Sequence, residues 1–306
     1  MKKITVLGAG TMGHGIAQLF ATAKMNVTLY DPYEASLSKA KKHMEQSIHL
    51  LEEEGILQRQ SNLLDSITWT TQLEQAVRNA DVIMEAAPEE IAIKHDIYKT
   101  IESIVAPDVL IASNTSTIPV TKLAEKLLHP ERMIIAHFFN PAQIVPLVEL
   151  VVHTKTAPGV VEQMKELLIG VGKTPILLKK DVPGFVGNRL QAALVREAFH
   201  LLEEGVADAA DIDAAIMNGP GFRWVVSGPL ETADYGGLDI WEKVMSNLAP
   251  HLDVSTKAPG AIRKSVEEGH LGVKTGQGIY DYDQIDVEKR VDARNRAFAR
   301  LYRMRE

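Results

Sequence analysis

Gly8-Ala9-Gly10-Thr11-Met12-Gly13 stands between the apolar run Ile4-Thr5-Val6-Leu7 and a stretch with helical spacing, Ile16, Ala17, Leu19 and Phe20. A second apolar run, Val27-Thr28-Leu29-Tyr30, follows and ends on Asp31. Strand, glycine turn, helix, strand and acid in this order form the dinucleotide-binding fingerprint in its full context. Gly8 permits the tight turn, Gly10 lets the backbone approach a pyrophosphate, and Gly13 lets helix and strand pack closely. Thr11 and Met12 complete the loop, and the helix that follows offers free N–H groups to the phosphates. Asp31 lies 18 residues beyond Gly13, where a carboxylate accepts hydrogen bonds from the adenosine ribose. The carboxylate also opposes the 2′-phosphate of NADP, so the expected cofactor is NAD.

Working outward, short apolar runs alternate with helical stretches through the first half of the chain. The strands expected are 3–7, 27–30, 66–69, 82–85, 109–112, 133–136, 147–152 and 175–179. The helices expected are 12–24, 34–54, 72–78, 90–104, 119–127 and 158–170. Such alternation predicts an α/β fold with a doubly wound, mostly parallel Rossmann-type sheet. Residues 34–64 read as a helical excursion reaching over a cleft or as a plain crossover helix, with a second short helix possible after Gly55. Strand patterns stop after Pro183-Gly184. Apolar stripes at helical spacing then recur, first in Leu190, Leu194, Ala198 and Leu201. The division expected is a dinucleotide-binding domain over 1–183 and an all-helical domain over 184–306. The second has more apolar stripes than so small a domain buries, and a homodimer through it is expected.

The 306 residues, 45% hydrophobic and 24% charged, have the composition of a soluble globular protein. There is no cysteine, which excludes disulfides, thiol catalysis and cysteine-bound metal. No histidine spacing suggests a metal site. A net charge of −7 argues against a nucleic-acid partner. The arginine-rich end, Arg290 to Arg305, reads as a solvated helix face. No apolar run reaches the length of a membrane span and no signal-peptide pattern is present, so no membrane partner and a cytoplasmic location are expected.

Two polar clusters lie where an α/β sheet places its chemistry, beyond the carboxyl ends of strands. Ser113-Asn114-Thr115-Ser116-Thr117 follows one apolar run, and His137-Phe138-Phe139-Asn140-Pro141 follows another. Histidine suits proton transfer near neutral pH. Glu149 sits within the apolar run Pro146 to Val151, where a carboxylate needs a partner, and an imidazole is a suitable one. Ser116 also reads as a helix cap before Pro119, and Asn188 as a cap after Pro183-Gly184.

The chain resembles the L-3-hydroxyacyl-CoA dehydrogenases over nearly its whole length. The resemblance rests on Gly8 to Ala17, Ser113 to Ser116 and His137 to Pro141. It continues in Pro183 to Arg189, Gly228 to Glu231 and Lys274 to Tyr280. It implies that His137 is the general base, with Glu149 its partner. Ser116 and Asn188 would hydrogen-bond the substrate, and Ser116 and Asn140 would line the nicotinamide site. Glu89 and Lys94 would lie beside the nicotinamide ribose. The reaction implied is NAD-dependent oxidation of a 3-hydroxyacyl-CoA within fatty acid metabolism. The longer segment Gly219 to Pro229, with Arg223 and Trp224, is instead similar to a sister branch acting on free hydroxy acids, such as gulonate and carnitine dehydrogenases. Phe138-Phe139 and the segments 233–239 and 274–282 favour the acyl-CoA branch, which is the substrate class expected. A non-catalytic NAD-binding descendant is the remaining alternative.

Overall fold

A computed structural model describes residues 2–58, 62–283 and 286–304. The chain divides into two compact units, residues 1–186 with 291–306, and residues 187–290.

In the first unit the runs rich in Val, Ile and Leu form eight strands. They are β1 (Lys3–Leu7), β2 (Asn26–Tyr30), β3 (Ile67–Thr70), β4 (Val82–Glu85), β5 (Leu110–Ser113), β6 (Met133–Phe138), β7 (Leu147–Val151) and β8 (Thr174–Leu178). The single sheet has the order β3-β2-β1-β4-β5-β6-β7-β8. All neighbours run parallel except β6 and β7, which pair antiparallel. The helices are α1 (Gly13–Thr22), α2 (Glu34–Glu53), α3 (Leu73–Val77), α4 (Ile91–Glu102), α5 (Val120–Ala124) and α6 (Pro158–Ile169). Order reverses at β1, whose neighbours are β2 and β4, and this reversal is the switch point where such sheets bind ligands.

Alternation of side chains along each strand builds a core on both faces of the sheet. Ile4, Val6, Leu110, Ala112, Ile134 and Ala136 join Phe20, Met44 and Leu51 on one side. Leu7, Ile111, Met133 and Ile135 join Tyr98, Ile101 and Leu123 on the other. Continuous apolar runs are therefore required, because both faces are covered.

Helix α2 buries Leu37, Ala40, Met44, Ile48, Leu50 and Leu51 in the first of these cores. The second short helix expected after it falls partly on residues 59–61, outside the described residues. A single 3-10 turn, Leu64–Ser66, leads into β3.

The second unit holds α7 (Gly187–Glu203), α8 (Ala209–Asn218), α9 (Pro220–Trp224), α10 (Pro229–Gly236), α11 (Leu238–Leu248) and α12 (Gly260–Glu267). Helix α9 was not expected. It occupies the segment read as an extended loop, and Pro220 at its first position starts it.

The last helix, α13 (Val287–Arg303), departs from the expected division at 184–306. Residues 291–306 cluster with the first unit. Ala299 is fully buried there, with Phe298 and Tyr302 packed on the same core. Arg296 donates to Glu53 Oε2 at 2.7 Å and Arg300 to Glu54 Oε2 at 2.8 Å. The arginines read as a solvated face thus pair with the acidic end of α2. No described helix is long and apolar enough to cross a membrane.

Candidate active site at the carboxyl edge of the sheet

The glycine turn sits at the end of β1. Gly8 has φ +100°, and a Cβ there would lie 2.5 Å from the carbonyl oxygen of Ala86. A Cβ on Gly13 would overlap the carbonyl of Gly8. Both positions therefore require glycine. Gly10 differs, since a Cβ on it would meet nothing within 4 Å. Space lies open above the backbone there, as a pyrophosphate requires. Thr11 is exposed, Met12 stands at the N-cap position of α1 without a side-chain hydrogen bond, and the first turn of α1 contains no acid to oppose an anion. Asp31 ends β2 beside this loop: its Oδ2 accepts from the Ala9 N–H at 2.9 Å and its Oδ1 from the Tyr33 N–H at 3.1 Å. These residues fit an adenine dinucleotide with a ribose held at Asp31.

The pairing of His137 with Glu149 is assembled by strand register. His137 on β6 stands opposite Glu149 on β7. Antiparallel partners at such a position bring their side chains close on one face. His137 Nδ1 lies 2.9 Å from Glu149 Oε2, and both groups are buried. An ionised Glu149 accepts from Nδ1–H, which leaves Nε2 as the acceptor in the neutral ring. Glu149 Oε1 accepts from the Val186 N–H at 2.9 Å. The rings of Phe139 and Phe185 flank the imidazole at 4.8 and 5.4 Å. Phe185 holds φ +51°, a conformation costing about 1–3 kcal/mol in a non-glycine residue. That strained turn delivers both the Phe185 ring and the Val186 N–H to the pair.

A second network links β4, α4 and the end of β5. Glu85 is fully buried and accepts from the Ala87 N–H at 2.7 Å, Lys94 Nζ at 2.7 Å, Tyr98 O–H at 2.6 Å and Ser113 O–H at 2.6 Å. Lys94 is itself buried and stands 3.5 Å from Glu89 Oε2. Glu89 Oε1 accepts from Thr115 and Thr117 hydroxyls and from the Ser116 and Thr117 N–H groups, at 2.6–3.0 Å. Partial burial would raise the Glu89 pKa, but the bonds from Thr115, Thr117 and Ser116, with the Lys94 charge, hold it at about 2. Burial and the facing Glu85 carboxylate push the Tyr98 phenol well above its usual range.

The structure thus brings His137 and Glu149 together, and it links Glu89, Lys94 and Ser116. The turn before α5 is closed by Thr115, whose hydroxyl accepts from the Ile118 N–H at 3.0 Å. Ser116 does not serve as the cap, and its hydroxyl has no partner among the described residues. Asn140 is exposed on the loop after β6 and is joined to Pro141 by a cis bond. Asn188 lies in the first turn of α7, in the second unit. Sequence reading assigns no role to Glu85 or Tyr98. The signal for Glu85 was the same as for Glu149, an acid closing the buried run Val82-Ile83-Met84. No group of three or more potential metal ligands occurs among the described residues.

Comparison with known proteins agrees with this geometry. Residues 3–182 match the model of the 3-hydroxyacyl-CoA dehydrogenase NAD binding domain, and residues 184–282 that of the C-terminal domain. The 5-formyl-3-hydroxy-2-methylpyridine 4-carboxylate 5-dehydrogenase of Mesorhizobium japonicum is 36% identical, covering 92% of this chain and 91% of the relative. The L-carnitine dehydrogenase of Pseudomonas putida is 33% identical, covering 91% and 87%. A crystal structure of a formylpyridine carboxylate dehydrogenase of the first kind, described as an NAD+ dependent dismutase, is 34% identical. It superposes with a TM-score of 0.93 over 99% of this chain and 98% of its own. The (S)-3-hydroxybutyryl-CoA dehydrogenase of Ralstonia eutropha is 35% identical with a TM-score of 0.76, over 93% and 100%. The chain belongs to the 3-hydroxyacyl-CoA dehydrogenase family and is an NAD-dependent oxidoreductase.

Proposed function

We propose that the protein transfers hydride between NAD and the carbinol or carbonyl carbon of a small free carboxylate, not a CoA thioester. The observation that carries this reading is the whole-chain likeness to the formylpyridine carboxylate dehydrogenase, 0.93 in TM-score against 0.76 for the hydroxybutyryl-CoA enzyme. Helix α9 supports it. It presents the exposed Arg223 beside Trp224, and Arg223 makes no ion pair among the described residues. A guanidinium is suited to bidentate recognition of a carboxylate, whereas the acyl end of a CoA thioester is uncharged and its anionic groups lie only on the distant phosphates.

In the oxidative direction NAD, when bound, accepts the hydride. His137 Nε2 takes the hydroxyl proton as general base. Glu149 holds the imidazole in the competent tautomer and stabilises its charged form. Phe139 and Phe185 limit the reach of water to the ring. The Ser116 hydroxyl orients the reacting oxygen. Glu89 keeps its charge near the nicotinamide ribose at any physiological pH, with Lys94 and Glu85 fixing it. Asp31 takes the adenosine ribose. The helical unit pairs with a second copy of the chain.

The acyl-CoA reading keeps Phe138-Phe139, the segments at 233–239 and 274–282, and the 35% identity to the hydroxybutyryl-CoA enzyme. A spectrophotometric screen separates the two. Free hydroxy and aldehyde carboxylates, carnitine and pyridine carboxylates among them, should be turned over with NAD far faster than 3-hydroxybutyryl-CoA. Arg223→Met should raise their KM by about tenfold or more, the scale of a lost charge-assisted contact. Efficient turnover of acyl-CoA compounds with none of free acids would reverse the assignment.

A further inference from the structure

Residues 139–146, between β6 and β7, carry Phe139 against the His137 ring and Asn140 at the open edge of the sheet. The segment is fastened from several sides. Pro141 O accepts from the Ile144 and Val145 N–H groups at 3.0 and 2.9 Å, closing a turn. That turn rests on α1 at Gly15, where a Cβ would lie 2.5 Å from Gln143 Oε1 and 3.2 Å from Ala142 Cβ. Gln143 Nε2 donates to Ser47 Oγ on α2 at 2.9 Å.

The remaining fastening comes from the start of β8. Because β7 runs antiparallel to β6, its first residue, Leu147, lies at the edge of the sheet where β6 ends. Thr174 of β8 pairs with Leu147, and the Thr174 N–H donates to Pro146 O at 2.8 Å. One residue earlier, Lys173 Nζ donates to Val145 O at 2.8 Å. Lys173 is only 5% exposed, and that carbonyl is the one hydrogen-bond partner of its ammonium among the described residues. Buried ammonium groups ordinarily face a carboxylate. This one faces a backbone carbonyl of the loop, and burial alone lowers its pKa to about 7. Its placement is costly, and the contact it makes is with the segment beside the proton-transfer pair.

We propose that Lys173 is a positioning residue for the nicotinamide end of the cofactor site, acting through Val145 to hold Phe139 and Asn140 in place. The proposal rests on the reading of Asn140 as lining the nicotinamide. It requires no contact between Lys173 and the cofactor.

Paired titrations test it. Lys173→Met keeps most of the length of the side chain and removes the donor. NADH binding, followed by fluorescence, should weaken by about tenfold, the scale of one lost hydrogen bond from a charged donor. ADP-ribose lacks the nicotinamide and should bind as it does to the unmodified protein, followed by calorimetry. A general loss of structure would weaken both ligands alike, and that result, or unchanged NADH binding, would overturn the proposal. Should the methionine variant not fold, Lys173→Gln, shorter and still polar, reads the same contrast. Asn140→Ala serves as the control. If it leaves NADH binding unchanged, the reading of Asn140 is wrong. If it weakens NADH binding while Lys173→Met does not, only the inference about Lys173 falls.

Discussion

The two units meet the same demand, covering apolar side chains, in opposite ways. The first encloses its sheet between two cores and buries His137, Glu149, Glu85 and Lys94 with them. In the second, no described residue from 187 to 290 is buried. Leu230 is 83% exposed, Tyr235 77%, Leu238 63% and Val226 88%. A proton-transfer site needs groups that are desolvated, partnered and immobile, and only the first unit supplies them. The second has strong apolar faces and no interior of its own. The buried imidazole and its partnered carboxylate thus belong to the sheet unit.

Breaking the first side of this contrast should have the largest effect. Glu149→Gln keeps the shape of the side chain but offers an amide where Nδ1–H needs a carboxylate. Turnover should fall by roughly a thousandfold, because the imidazole loses both its tautomer and its charge partner. NADH affinity should hold. A variant with near-normal turnover would show that burial beside His137 serves stability and not proton transfer.

The second side is tested by mass. Light scattering at micromolar concentration should give about twice the 33.7 kDa of one chain, since isologous pairing is the commonest way to cover such faces. A monomer under those conditions would mean that the apolar residues of the helical unit are covered by something else.

Most of the first unit was legible in the sequence, for a physical reason. The central strands, β1 and β4 to β7, are buried almost throughout and read as near-continuous apolar runs, while β2, β3 and β8 are only partly buried; all eight could be placed within a residue or two. The glycine turn was legible because Gly8 and Gly13 have no room for a side chain. His137 and Glu149 could be paired from chemistry, since each needed a partner. Other features depended on register and tertiary packing, which periodicity does not carry. Glu85 collects four donors from two helical turns and two strand ends. Lys173 meets a carbonyl 28 residues away. The arginines of α13 read as solvated because their partners, Glu53 and Glu54, lie more than 240 residues back. Helix α9 is five residues long, too short for a periodic signal. Substrate class was the least legible feature, because the family segments and the 219–229 segment pointed to different branches.

The central claim is that His137 carries the proton, held in place by Glu149 on the neighbouring strand. Single-turnover stopped-flow formation of NADH tests it most directly, with saturating NAD and the best substrate from the screen, comparing the unmodified protein with His137→Gln. The account predicts that the hydride-transfer step slows by a factor of roughly 100 to 10,000, as loss of a general base does, while NADH binds as before. An unchanged rate of hydride transfer in the variant would contradict it, and another group would then have to move the proton.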